Sequence, residues 1–169
     1  PNISLSQVID AERDLLEPFS VFSDVLDTTN LQSNTLRTWV KNFADAPQAD
    51  LTLNFESFGY KHGIPFAADL VFDVRNLPNP YYVPELRTLT GKDAPIIEYM
   101  KQQPMVSEMI KDITQFIDKW LPSYMATNRQ YLTIAIGCTG GQHRSVYVAE
   151  QLAQHFQKRF NSIGVRHRI

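Results

Sequence analysis

The run Tyr131-Leu-Thr-Ile-Ala-Ile-Gly-Cys-Thr-Gly-Gly-Gln-His-Arg-Ser-Val146 constrains this chain more than any other stretch. It starts as an apolar, β-branched segment, passes three glycines in five residues, and continues into an amphipathic helical spacing. That order predicts a buried strand, a tight turn and a helix. At the tip of a parallel strand, such a turn aims backbone N–H groups and the positive end of the helix dipole at one small volume, which suits an anion. Cys138, Thr139, Gly140, Gly141, Gln142, His143, Arg144 and Ser145 are the candidate residues of that volume. Arg144 would clamp a phosphate bidentately, Thr139 and Ser145 would offer hydroxyls, and the glycines their N–H groups.

The rest of the chain alternates strands with helices. Ser4 or Ser6 would cap a first helix with Leu5, Val8, Ile9, Leu15 and Leu16 on a core-facing stripe, ending before Pro18. A strand is expected over 21–26 and a helix carrying Leu36, Trp39, Val40 and Phe43 after it. Further strands are expected over 51–55, 70–74, 131–136 and 163–166, and helices over 94–102 and from Pro104 onward. The final helix has Ala149, Leu152, Ala153, Phe156 and Phe160 on its apolar side. This pattern argues for a single α/β domain with a mostly parallel central sheet of about four to five strands flanked by helices. Ligands of such sheets collect beyond the carboxyl ends of the strands. Lys61 and His62 follow one strand and Arg75 another, so both segments are expected to wall the same pocket, with His62 closing its far side. The stretch from Arg75 to Asp93 has no periodicity, is stiffened by prolines, and carries Tyr81 and Tyr82. It either covers a sheet edge or faces the ligand.

Composition narrows the class. With 43% hydrophobic and 20% charged residues, 169 residues suffice for an ordinary folded core. No apolar run approaches the roughly 20 residues that span a bilayer, which with the absence of a signal-peptide pattern points to the cytoplasm. One cysteine excludes an internal disulfide and argues against a cysteine metal cluster. His62, His143, His155 and His167 show no ligand spacing, so no metal is expected. The chain opens on Pro1 rather than a start methionine, which points to an upstream part. The net charge of -2 is unevenly spread: beyond Leu152 the chain holds Lys158, Arg159, Arg166 and Arg168 and no acid. That tail is either a solvated surface or, with Arg129, a path for a nucleic-acid backbone.

Two chemistries compete at the glycine turn. Cys138 and Arg144 are separated by five residues and followed by Ser145, which is the spacing of a phosphatase loop in which a thiolate attacks phosphorus and the arginine grips the remaining oxygens. Gly137 stands where that loop usually has histidine, and no aspartate general acid is evident. The alternative is a non-catalytic site for a phosphorylated small molecule. The order of a Walker A loop is missing, so nucleotide hydrolysis is not supported.

Four stretches carry a resemblance to a known family: Phe55-Glu-Ser-Phe-Gly-Tyr-Lys-His-Gly-Ile-Pro65, Asp69-Leu-Val-Phe-Asp-Val-Arg-Asn-Leu-Pro-Asn-Pro80, Leu89-Thr-Gly-Lys92, and Tyr131 through Ser145. In this order they resemble the C-terminal domain of the RNase adapter family, RapZ and its YvcJ-type relatives. The resemblance implies that 1–18 is a connecting helix from an absent N-terminal P-loop domain and that 19–169 is an RNA- and sugar-phosphate-binding domain. ATP or GTP would belong to the absent domain, leaving this one without a cofactor or catalytic activity. The implied partners are glucosamine-6-phosphate, a small regulatory RNA, an endoribonuclease and further copies of the chain. The bacterial, cytoplasmic role implied is post-transcriptional regulation. The resemblance places the anion pocket on Lys61 to Gly63 and Cys138 to Ser145. RNA contact is expected at Arg129, Lys158, Arg159, Arg166 and Arg168.

Overall fold

The computed structural model describes residues 4–18, 36, 40, 51–126, 129 and 131–168. The chain divides into two compact units, Pro1–Asp45 and Ala46–Ile169. In the first, helix α1 spans Leu5–Leu16. Ser4 caps it: its hydroxyl accepts from the Gln7 N–H while the Gln7 side chain accepts from the Ser4 N–H, satisfying two donors the helix end would otherwise leave unpaired. The stripe expected to face a core does not do so. No residue of α1 is buried, and Leu5, Val8, Ile9, Leu15 and Leu16 are all exposed. Helical spacing establishes that an apolar stripe exists, not what lies against it. The strand expected over 21–26 lies outside the described residues. Of the helix expected after it, only Leu36 and Val40 are described, and both are helical.

The second unit is α/β, built on one four-stranded sheet in which every pair is parallel. Its elements are β1 (Thr52–Gly59), β2 (Leu70–Asp73), α2 (Ala94–Lys101), α3 (Pro104–Ala126), β3 (Tyr131–Cys138), α4 (Arg144–Phe156) and β4 (Ile163–His167). The strand order is β2-β3-β1-β4. Right-handed crossovers explain the layering. The connections β2 to β3 and β3 to β4 run the same way across the sheet, so α2, α3 and α4 share one face. The connection from β1 to β2 runs the other way and crosses the opposite face. Ala67, from that connection, accordingly lines a groove with Asn54, Thr133 and Arg166, whose alternation places them away from the helices.

The core lies between the sheet and its helices. Leu53 and Phe55 of β1 and Leu132, Ile134 and Ile136 of β3 meet Ile113, Ile117 and Leu121 of α3 and Val148, Leu152 and Phe156 of α4. Phe55 and Phe156 stack with ring centroids 5.7 Å apart. Burial of side chains of this size stabilises by about 1.5–3 kcal/mol each. β1 runs four residues beyond its expected end because it is central, paired with β3 through Gly59 and with β4 through Ser57. All the strands point their carboxyl ends the same way. The glycine turn, the Tyr60–His62 turn and the long segment after β2 therefore gather at one edge.

Candidate functional site

The turn between β3 and α4 is shaped around Cys138. The thiol is 2% exposed, lies 3.1 Å from the Ser145 hydroxyl, and accepts the Gly141 N–H at 3.2 Å. Gly141 holds φ +80°, a conformation that side chains rarely adopt, and a Cβ there would stand 2.7 Å from the backbone N of Gly59. The turn is thus packed directly against the end of β1. The Thr139 carbonyl accepts the Lys61 N–H at 3.3 Å, so the segment after β1 is tied to it as well.

Arg144 opens α4 with only 5% of its surface exposed. Its Nη1 donates to the carbonyl oxygens of Arg75 at 2.6 Å and Leu77 at 3.0 Å, and its Nη2 donates to the Thr139 hydroxyl at 3.4 Å. Its Nε is buried without a hydrogen-bond partner. Anchoring through Nη1 leaves the side-on edge of the guanidinium, Nε with Nη2, as the part of the fork suited to two oxygens of one anion. The neighbouring His143 is equally enclosed, at 6% exposure, and its Nε2 also has no partner. Burial holds its pKa below the usual histidine value, against the pull of the Leu89, Leu86 and Arg87 carbonyls; the nearby Arg144 charge adds to the lowering. Two enclosed polar atoms at one turn are unusual, since nearly all such atoms in folded proteins are paired.

The segment after β2 forms a strap over the turn. It contains two short 3-10 turns, Pro80–Tyr82 and Pro84–Leu86. Leu77, Pro80 and Leu86 are buried, and Tyr81 and Tyr82 are exposed, their rings 6.3 Å apart. Arg144 holds one end of the strap. Gln142 holds the other, with its Nε2 donating to the Leu89 carbonyl at 2.7 Å and, at 3.4 Å, to that of Arg87. The Gly91 N–H returns a bond to the Gln142 carbonyl at 2.9 Å.

Turn and strap enclose a cavity of about 350 Å³ lined by Lys61, Cys138, Thr139, Gly140, Gln142, His143 and Arg144, with Asn79, Tyr81 and Tyr82 from the strap. Seven sequence candidates therefore converge. Gly141 and Ser145 are buried, tied to the Cys138 sulfur from either side. Two others stand apart. His62 is exposed on the Tyr60–His62 turn and does not line the cavity. Arg75 contributes its carbonyl, while its guanidinium pairs with Asp73 at 2.6 Å and lies 4.0 Å over the Tyr60 ring. The Arg75 hydrogen bond is the main reason the Asp73 carboxyl titrates below its usual range.

The residues expected to meet RNA do not form one patch of unpaired cations. Arg129 pairs with Asp69, Arg159 with Asp118 at 2.7 Å, and Arg168 with Glu56 at 3.6 Å. Lys158 and Arg166 are exposed. Among the described residues no cluster of three or more His, Cys, Asp or Glu side chains is placed to hold a metal. No described helix is long and apolar enough to cross a membrane.

One polar row was not read from the sequence. His167 places Nδ1 2.8 Å from the Ser57 hydroxyl and Nε2 3.0 Å from a Glu150 oxygen, which also receives Lys92 at 3.8 Å. The set has the composition of a nucleophilic triad, but Ser57 has no exposed surface, so it acts as an internal tie between β1, β4 and α4. Its members come from distant segments, and only the β1–β4 pairing, Ser57 opposite His167, brings them together. Asn79, Tyr81 and Tyr82 belong to the aperiodic, proline-rich stretch for which the sequence left two readings, covering a sheet edge or facing the ligand, and they line the cavity.

Fold and site together define a parallel α/β domain with a cavity at the carboxyl ends of its strands, over a glycine turn and a helix start. The chain belongs to the RapZ C-terminal domain family, whose model matches residues 51–169. It is 55% identical over 168 residues to a nucleotide-binding protein of Ralstonia nicotianae, covering 99% of this chain and 56% of that protein. A nucleotide-binding protein of Cupriavidus pinatubonensis is 55% identical over 165 residues, with 98% and 56% covered. One of Azoarcus sp. is 55% identical over 168 residues, with 99% and 57% covered. The chain thus spans little more than half the length of the curated relatives it matches.

Proposed function

We propose that this domain is a sensor and adapter: it binds a phosphorylated amino sugar, glucosamine-6-phosphate, at the glycine turn and helps present a small regulatory RNA to an endoribonuclease, with no catalysis of its own. The observation that carries the sensing half is Arg144, which lines the cavity together with Lys61, donates to the Thr139 hydroxyl through Nη2 and keeps a buried, unpartnered Nε. An anion there would satisfy a donor that is otherwise enclosed and unpaired. The RNA half rests on the family resemblance, with the exposed Lys158 and Arg166 as first contacts and the paired arginines exchanging carboxylates for phosphates. On this reading the domain works in the cytoplasm as part of a homo-oligomer. The nucleotide binding named in the relatives belongs to the part of them that this chain does not span.

Calorimetry with glucosamine-6-phosphate tests the pocket: wild type binds and Arg144→Ala does not, with its fold checked by circular dichroism. Undiminished binding by Arg144→Ala sinks the assignment. For RNA, affinity should fall steeply with added salt as phosphate contacts are screened. No binding even at low salt removes that half.

A cysteine-dependent phosphatase is the second reading, favoured by the Ser145 hydroxyl and the Gly141 N–H that both address the Cys138 sulfur. It requires turnover of an aryl phosphate that Cys138→Ser abolishes. A wild-type protein that binds the phosphate without turning it over retires it.

A further inference from the structure

Gln142 lines the cavity, yet its side-chain donor is directed elsewhere. Its Nε2 donates to the carbonyls of Leu89 and Arg87, at the far end of the strap from Arg144. Arg87 in turn reaches back along the strap: its Nε donates to the Tyr81 carbonyl at 2.9 Å, and its guanidinium lies 5.1 Å from the centre of the Tyr81 ring. Tyr81, about half exposed, lines the cavity. A continuous route therefore runs from the turn that would hold the phosphate, through Gln142 and Arg87, to Tyr81 in the strap's part of the cavity lining. Arg144 secures the other end of the same strap through Arg75 and Leu77. Two side chains, separated by one residue on the turn, thus set the position of the whole wall.

We propose that Gln142 is a positioning residue for specificity: acting through Arg87, it holds Tyr81 where the ring of a phosphorylated sugar bound in the cradle must lie, and so governs recognition of the ring but not of the phosphate. This rests on the phosphate-cradle reading above. Tyr81 supplies a flat apolar face to the C–H side of a sugar ring. Its height above the cradle depends on where the strap is pinned. The Gln142 amide has two hydrogens and gives them to two carbonyls, so it has none left for an anion.

The test is titration of the full chain with two probes, inorganic phosphate and glucosamine-6-phosphate. Gln142→Ala should weaken glucosamine-6-phosphate by about fivefold to tenfold, the usual worth of one or two hydrogen bonds of this kind, and leave inorganic phosphate within about twofold. Arg87→Ala, which cuts the same route one link further on, should reproduce that split. On a Tyr81→Ala background, Gln142→Ala should have no additional effect, because the two substitutions remove one shared interaction. Equal weakening of both probes by Gln142→Ala, or effects of Gln142 and Tyr81 that simply add, overturns the proposal while leaving the cradle intact. A wild-type chain that binds neither probe overturns the cradle itself, and this proposal with it.

Discussion

Arg144 donates to the main-chain oxygen of Arg75 at 2.6 Å, so the first residue of α4 is bonded to the segment leaving β2. A side chain that would grip a ligand is therefore also structural. Lysine keeps the charge at this position but not the planar fork. Arg144→Lys should lower stability by about 1–3 kcal/mol, because at least one buried carbonyl, of Arg75 or Leu77, loses its donor. It should also weaken phosphate binding by at least tenfold. Urea unfolding and calorimetry on the same preparation separate the two losses.

His143 gives a pH dependence of definite sign. Its folded pKa lies below the ordinary value, with burial the largest cause. In the unfolded chain the ring takes a proton near pH 6.5. As pH falls through that value the unfolded state gains a proton that the folded ring resists, so stability is lost until the folded pKa is passed. Urea midpoints measured from pH 8 down to 5 should fall, and His143→Gln should flatten that part of the curve. An unchanged slope would assign the acid sensitivity to other groups.

Gly91 sits where the strap rejoins the turn. A Cβ on it would stand 2.4 Å from both the His143 carbonyl oxygen and the Tyr147 nitrogen. Both are backbone atoms, one of them inside α4, and cannot swing aside. Gly91→Ala is expected to destabilise by about 1–3 kcal/mol, as overpacking of a tight interior does. It should weaken ligand binding too, since it displaces the anchor of the strap. Thermal unfolding measures the first effect and calorimetry the second.

Ser57→Ala isolates the internal tie. It removes the hydroxyl from His167 Nδ1 and leaves the Glu150 contact in place. A loss of about 1–3 kcal/mol is expected, the usual consequence of leaving a mostly buried polar atom without its partner. Hydrogen exchange should quicken first in β4, the edge strand that the tie secures.

Local pattern carried the fold a long way. The β-branched run before Gly137 and the three-and-four spacing after Pro104 are strong one-dimensional signals, and both became the expected elements. The turn residues were legible because their chemistry lies in eight consecutive positions. What could not be read was which backbone would face them. Arg75 was expected as a cation of the pocket, but its guanidinium is satisfied by Asp73 two residues back, and the atom it presents to Arg144 is its carbonyl. Arg129, Arg159 and Arg168 looked like a basic surface because Asp69, Asp118 and Glu56, their partners, are remote in sequence. Alternation predicted β1 only to Phe55, since Ser57 is polar in the middle of a sheet, and it tolerates that place only through His167.

The two unpartnered nitrogens at the turn, Arg144 Nε and His143 Nε2, bear on how this domain can be improved in the laboratory. An enclosed nitrogen without a partner is a small energetic debt that the ligand-free protein carries, and selection for heat resistance would remove it first. Stabilised variants should therefore accumulate changes at position 143 and at neighbours that bring a partner to the Arg144 Nε, while Arg144 itself, which holds the Arg75 and Leu77 carbonyls, is kept.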